Sequence, residues 1–166
     1  MHRSLLLLPL VLLLAAGCAS PPPPGPYVRP AGNFPAEGLL VQRALLTIHG
    51  RQFALNGYLA LSPTGGKRLM VTENLGGLMA DVLVKPDGKV YVMRSKELFP
   101  EKYVRRFLVA DLECVFGGSA AADCPVTMPA PDHYVIDRGG YRLDLRIVER
   151  KPGAQPAELF DETRAQ

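Results

Sequence analysis

From Leu39 onward apolar residues recur at every second position, and the runs are cut by short turns rich in glycine and proline. That period belongs to strands with one face on a core and the other in water. Leu40, Ala44, Leu46 and Ile48 share one face of a first strand, with Gln42 among them. After the His49-Gly50-Arg51 turn, Phe53, Leu55, Gly57, Leu59 and Leu61 share one face of a second, where Gly57 predicts a bend or bulge. The Ser62-Pro63-Thr64-Gly65-Gly66 loop leads to a third strand at Leu69 and Val71, closed by Asn74-Leu75-Gly76-Gly77. Leu78, Ala80, Val82 and Val84 form one face of a fourth, and Pro86-Asp87-Gly88 is the clearest hairpin turn before Val90 and Val92. Five short strands with tight connections predict an antiparallel meander.

The period then lengthens. Pro100 suits a first helical position and Glu101 a first turn. Tyr103, Phe107, Ala110 and Cys114 fall on one side, with Val104, Leu108, Leu112 and Val115 beside them, a wide apolar stripe ended by Gly117-Gly118. The spacing predicts a helix over about 100–116, with Asp111 inside the stripe. Residues 117–132 read as a loop, and strands return at His133–Ile136 and Arg142–Val148 around the Asp137-Arg138-Gly139-Gly140 turn. In the latter, Leu143, Leu145 and Ile147 alternate with Arg142, Asp144 and Arg146, so one face is wet. A last short strand is expected at Ala157–Phe160, before a polar tail over 162–166. At 166 residues one domain is the expectation, of mainly β (α+β) class. The 19 Lys+Arg against 16 Asp+Glu leave +3, too little and too scattered for a nucleic-acid binder.

The N-terminus speaks to location. His2 and Arg3 precede an apolar run, Leu5 to Leu14, interrupted by Pro9 and followed by Ala15-Ala16-Gly17-Cys18. A basic start, a short apolar core and small residues describe a secretory signal over 1–17. A spanning helix would need about 20 apolar residues. Leu14-Ala15-Ala16-Gly17-Cys18 resembles the lipobox of bacterial lipoproteins, with Ala15 where the family usually has its leucine. The resemblance implies that Cys18 is acylated, becomes the mature N-terminus and anchors the chain to a membrane. Each buried CH₂ of its acyl chains contributes about 0.8 kcal/mol. Ala19, rather than an Asp, after the cysteine implies the periplasmic face of the outer membrane. An ordinary signal peptide with an incidental cysteine is the alternative. Pro21 to Pro24, Pro26, Pro30 and Pro35 make the segment to residue 38 a stiff, extended tether. A Pro-rich ligand for a partner domain is the other reading of that segment.

With Cys18 committed to lipid, Cys114 and Cys124 remain in an oxidising compartment. One sits near the helix end and one in the following loop, so the chain between can curl back. A disulfide stapling loop to helix is expected, worth about 3 kcal/mol by loop entropy. Two free thiols are the alternative. Zinc is a poor rival, because no His or third Cys has suitable spacing.

A lipobox, a proline-rich tether and a meander now stand in sequence. The Asn74-Leu75-Gly76-Gly77-Leu78 turn enters a strand, the Pro86-Asp87-Gly88 hairpin follows, and one amphipathic helix contains Asp111-Leu112-Glu113 before the closing strands. Over about residues 39–161 this order resembles the outer-membrane lipoprotein receptor of the Lol lipoprotein-sorting pathway and its relatives. In length and style it is nearer an uncharacterised lipoprotein family whose genes accompany aryl-polyene synthesis. The resemblance implies a curved, antiparallel, incomplete β-barrel with the helix on its concave face and an apolar cavity for acyl chains. The partners it implies are the acyl chain of a lipid or lipoprotein and a periplasmic carrier protein. The family's membrane-directed apolar loop has no obvious counterpart in the sequence.

An open barrel exposes an apolar face that one helix cannot fully cover, and burying acyl CH₂ groups there contributes on the order of 0.8 kcal/mol each. The candidates for lining it are Phe53, Leu55, Leu59, Val71, Val82, Val84, Leu143, Leu145 and Ile147. The competing reading is a closed core under the helix. Catalytic patterns are weak. Gly117-Gly118-Ser119-Ala120 lacks the second glycine of a nucleophile elbow. His49 and His133 stand apart in sequence without zinc-like spacing, and Gly65-Gly66-Lys67-Arg68 lacks the Ser/Thr of a phosphate loop. No catalytic residue, metal or cofactor is expected. Two function classes remain: a lipid or lipoprotein carrier, and an accessory lipoprotein docking onto an envelope assembly through the same sheet. A cavity favours the first; a packed core with an exposed apolar patch favours the second.

Overall fold

The computed structural model describes residues 34–97, 99–117 and 124–164. The expected signal, Cys18 and most of the tether lie outside them. Eight strands, β1 (Gly38–Ile48), β2 (Arg51–Leu61), β3 (Lys67–Glu73), β4 (Leu78–Val84), β5 (Val90–Ser95), β6 (Val126–Ala130), β7 (His133–Asp137) and β8 (Tyr141–Pro152), form one sheet. Its order is β5-β4-β3-β2-β1-β8-β7-β6, with every neighbouring pair antiparallel. Among the described residues no ladder joins β5 to β6, so the curved sheet is an unclosed barrel. The expected five-strand meander is one half of it; β8 returns beside β1 and seeds the other.

One helix, α1, lies between β5 and β6 in the chain. It opens at Glu101–Tyr103, passes through a π-helical turn at Val104–Leu108 and continues as Val109–Phe116. The wider turn shifts the helical register. Val104 is fully buried while Tyr103, expected on the inward stripe, is half exposed. Val104, Leu112, Val115 and Phe116 join the core formed by the inward residues of the strands.

Local chemistry explains the turns that set this register. Gly88, at φ 81°, closes the β4–β5 hairpin, where Lys85 N–H donates to the Lys89 carbonyl at 2.8 Å. Gly38 starts β1 where a Cβ would stand 2.6 Å from the Lys151 carbonyl oxygen, a contact only glycine allows. Gly57 does not make the bulge expected of it. The register of β2 with both β1 and β3 is unbroken, and the irregularity lies one strand away, between Val41 and Gln42 in the β1–β8 ladder.

Two further expectations are corrected. Part of the presumed 117–132 loop is β6, where Val126 and Met128 alternate inward. Pro129 is tolerated because β6 is an edge strand of the described sheet. Ala157–Phe160 is a 3₁₀ turn rather than a strand. Its backbone carbonyls are satisfied by side chains instead of a ladder: Arg68 Nη1 donates to the Leu159 carbonyl at 2.9 Å and Lys85 Nζ to that of Phe160 at 3.1 Å. Glu162, in the expected polar tail, pairs with Lys85. The C-terminal segment therefore lies against the outer side of β3, β4 and β5. Under it Arg68 holds Asp81 through two bonds, Nε to Oδ1 at 2.9 Å and Nη2 to Oδ2 at 2.7 Å.

Candidate functional site

Antiparallel register brings the inward residues into rungs across the sheet. Ile136, Leu143, Leu46 and Phe53 form one. Tyr134, Leu145, Ala44 and Leu55 form the next. Ile147, Gln42, Gly57, Val71 and Ala80 form a third, and Leu40, Leu59, Leu69 and Val82 a fourth. Val84, paired with Lys67, continues the same face. All nine expected lining residues thus lie on the concave side. Leu55, Leu59, Val71, Val82, Val84, Leu145 and Ile147 are buried in one cluster, with Phe53 and Leu143 partly buried against it. Beneath α1 that face is packed.

The cover is held at its two flanks by polar contacts. On one flank Asp111, 5 % exposed, accepts a hydrogen bond from Tyr141 Oη on Oδ2 at 2.5 Å and one from Arg138 Nε on Oδ1 at 2.9 Å. Burial pushes the Asp111 carboxyl above its ordinary range, and the bonds from Tyr141 and Arg138 pull it partly back. Burial first, then the bond to Asp111, holds the Tyr141 phenol well above its usual value. On the other flank Lys67 Nζ reaches both Glu113 oxygens at 2.8 and 3.1 Å, and Arg105 Nη1 donates to the Val90 carbonyl at 2.6 Å. Asp111, a polar residue inside an apolar stripe, was the sequence signal for this clasp; its partners, 27 and 30 residues away, were not legible.

The C-terminal end of α1 is fixed twice more. Cys114 and Cys124 pair as a disulfide with Cα atoms 5.5 Å apart. Phe34 packs on Phe116 at 4.8 Å between ring centroids, and Arg150 stands over the Phe34 ring at 5.4 Å. The domain thus takes in a residue assigned to the tether.

Two features of the site depend on packing that periodicity does not encode. Leu75, at the tip of the β3–β4 hairpin, is 97 % exposed. A lone leucine between Asn74 and Gly76 reads as part of a turn, and only the length of the flanking strands would have marked it as a protruding tip. Gln42 is 3 % exposed, and its Nε2 has no hydrogen-bond partner among the described residues.

Open grooves flank the sheet. One of ≈ 590 Å³ runs beside the edge strand β5 where α1 begins, between Val92, Arg94 and Glu101. Another of ≈ 580 Å³ includes Arg43, Leu45, Asp144 and Arg146. His133, isolated in sequence, pairs through Nε2 with Asp144 Oδ1 at 2.9 Å across the β7–β8 ladder. Among the described residues no three His, Cys, Asp or Glu side chains gather as a metal site, and no helix is long and apolar enough to cross a membrane. Neither a family model nor a curated protein matches the chain.

Proposed function

We propose that this chain is a lipid-anchored binding or transfer protein on the periplasmic face of the outer membrane, holding acyl chains of a lipid or lipoprotein in its half-barrel. The observation that carries the reading is a largely apolar concave face, packed beneath one helix that is held at its flanks by side-chain clasps, with no ladder between β5 and β6 among the described residues. Swinging such a helix about its end stapled by Cys114–Cys124 breaks the flanking side-chain contacts while the sheet ladder stays whole. An acyl chain entering beside β5 would replace apolar helix contacts with apolar ligand contacts, at about 0.8 kcal/mol per buried CH₂. Leu75 supplies an apolar point at which the domain can touch a lipid surface. The resemblance to the Lol receptor family and the lipobox ending at Cys18 support the same reading, with a periplasmic carrier protein as the delivering partner.

The full chain carrying Cys18→Ser provides the test. It should be released from the membrane fraction or left unprocessed, and once purified it should bind a fluorescent fatty acid saturably. Phe53→Glu, at the partly buried rim of the concave face, should weaken that binding at least tenfold. A folded variant without saturable binding would leave the docking reading. The packed face beneath α1, together with Leu45 and Val148, 38 % and 51 % exposed on the outer side of β1 and β8, is the observation that favours that alternative.

A further inference from the structure

Among the described residues the concave face carries one polar side chain that the packing leaves unanswered. Gln42 sits at the centre of the sheet, on β1, between Ile147 of β8 and Gly57 of β2. Three features converge on it. Its Nε2 is buried and has no acceptor among the described residues. The irregularity in the β1–β8 ladder falls beside it, with Val148 of β8 the extra residue opposite Val41 and Gln42, so the ladder is locally disrupted next to the amide. Gly57 opposite leaves the amide its room: a Cβ there would stand 3.1 Å from Gln42 Oε1. The rung continues through Val71 to Ala80, so with Gly57 it is the shallowest line across the concave face. The neighbouring rung, Leu40-Leu59-Leu69-Val82, is built of larger residues.

An unmet amide donor inside an apolar core is costly and is retained where something meets it. The donor is neutral, so it suits a neutral acceptor on an otherwise apolar ligand. We infer that Gln42 is a subsite for the carbonyl oxygen of an ester- or amide-linked acyl group, donating from Nε2 when the chain lies along the Gly57–Ala80 line. This inference rests on the carrier reading above and names the chemistry its cargo presents.

The test compares matched probes on the full chain carrying Cys18→Ser, by displacement of a bound fluorescent fatty acid. Monopalmitoylglycerol carries an ester carbonyl, and an N-palmitoyl-cysteinyl peptide carries an amide carbonyl. Hexadecylglycerol ether has the same chain with no carbonyl. Both carbonyl probes, or one of them, should bind about tenfold tighter than the ether, the worth of one net hydrogen bond. The tighter of the two identifies a glycerolipid or a lipoprotein as the source. Gln42→Leu should bring carbonyl and ether probes within about twofold while leaving ether binding unchanged. Gly57→Ala, which crowds the amide without removing it, should narrow the preference in the same direction and serves if Gln42→Leu does not fold. Neither carbonyl probe bound tighter than the ether by the unsubstituted protein, or Gln42→Leu keeping the preference, would overturn the subsite and leave the carrier intact. No binding of any probe would overturn the carrier reading, and the subsite with it.

Discussion

β8 and β4 belong to one sheet and are covered differently. β8 turns Leu143, Leu145 and Ile147 inward and presents Arg142 and Arg146 to water. β4 is buried from Met79 to Val84, with Met79, Ala80, Val82 and Val84 in the core and Asp81 and Leu83 on the outward side, where the C-terminal segment reaches from β3 to β5 on either side of β4. Its sequence, Leu78-Met79-Ala80-Asp81-Val82-Leu83-Val84, is accordingly a near-continuous apolar run. Alternation reports a strand with one cover; its loss reports two. The single charge in the run, Asp81, is neutralised across the ladder by Arg68, which also reaches the covering segment.

Breaking that contrast begins at its most costly contact. Arg68→Ala strands Asp81 under the C-terminal segment and should cost about 4 kcal/mol, read as a lowered urea midpoint. A loss below about 1 kcal/mol, the scale of a surface pair, would mean the second cover is loose in solution. Leu83→Ala, on the outward face of β4, should cost about 3 kcal/mol by emptying a buried site. If it behaves like an exposed position, β4 has one cover and the contrast with β8 collapses.

The inward cover is tested separately. Cys124→Ser should cost about 3 kcal/mol on the loop-entropy estimate. Hydrogen exchange should then speed up in α1 and leave β3 and β4 unchanged. Tyr141→Phe removes one bond to Asp111 and should cost about 1 kcal/mol near neutral pH. Because folding raises the Tyr141 pKa above its unfolded value of 10.0, its contribution is complete below pH 10 and is lost as pH rises toward the folded value. The parent protein should therefore lose stability above pH 10 more steeply than Tyr141→Phe, as thermal melts at stepped pH would record. Smallest of all, Val148→Ala on the wet side of β8 should stay within about 0.5 kcal/mol.

The sequence carried the inward half of this architecture well. Every strand of the meander, the helix and the β7–β8 hairpin announced themselves through periodicity and turn residues. The outward cover did not. Leu159 and Phe160 read as strand residues because their partners, Arg68 and Lys85, lie 91 and 75 residues away and bind backbone carbonyls. β6 was hidden by Pro129, whose meaning depends on lying at an edge. Gln42 was visible as an odd polar residue on an apolar face; that it has no partner is a property of packing, which periodicity does not encode.

β1 lies between its immediate successor and the last strand of the sheet, with Gly38 facing Pro152. Ladders that join such distant parts of a chain close late, because a long loop must be drawn in before any contact rewards it. Until Tyr141–Pro152 is available, the meander has β1 as its edge, an eleven-residue strand with Leu40 and Leu46 on its inward face. Long apolar edges attract other chains. The order of synthesis thus leaves β1 a sticky margin for most of the molecule's making, and the final strand is what retires it.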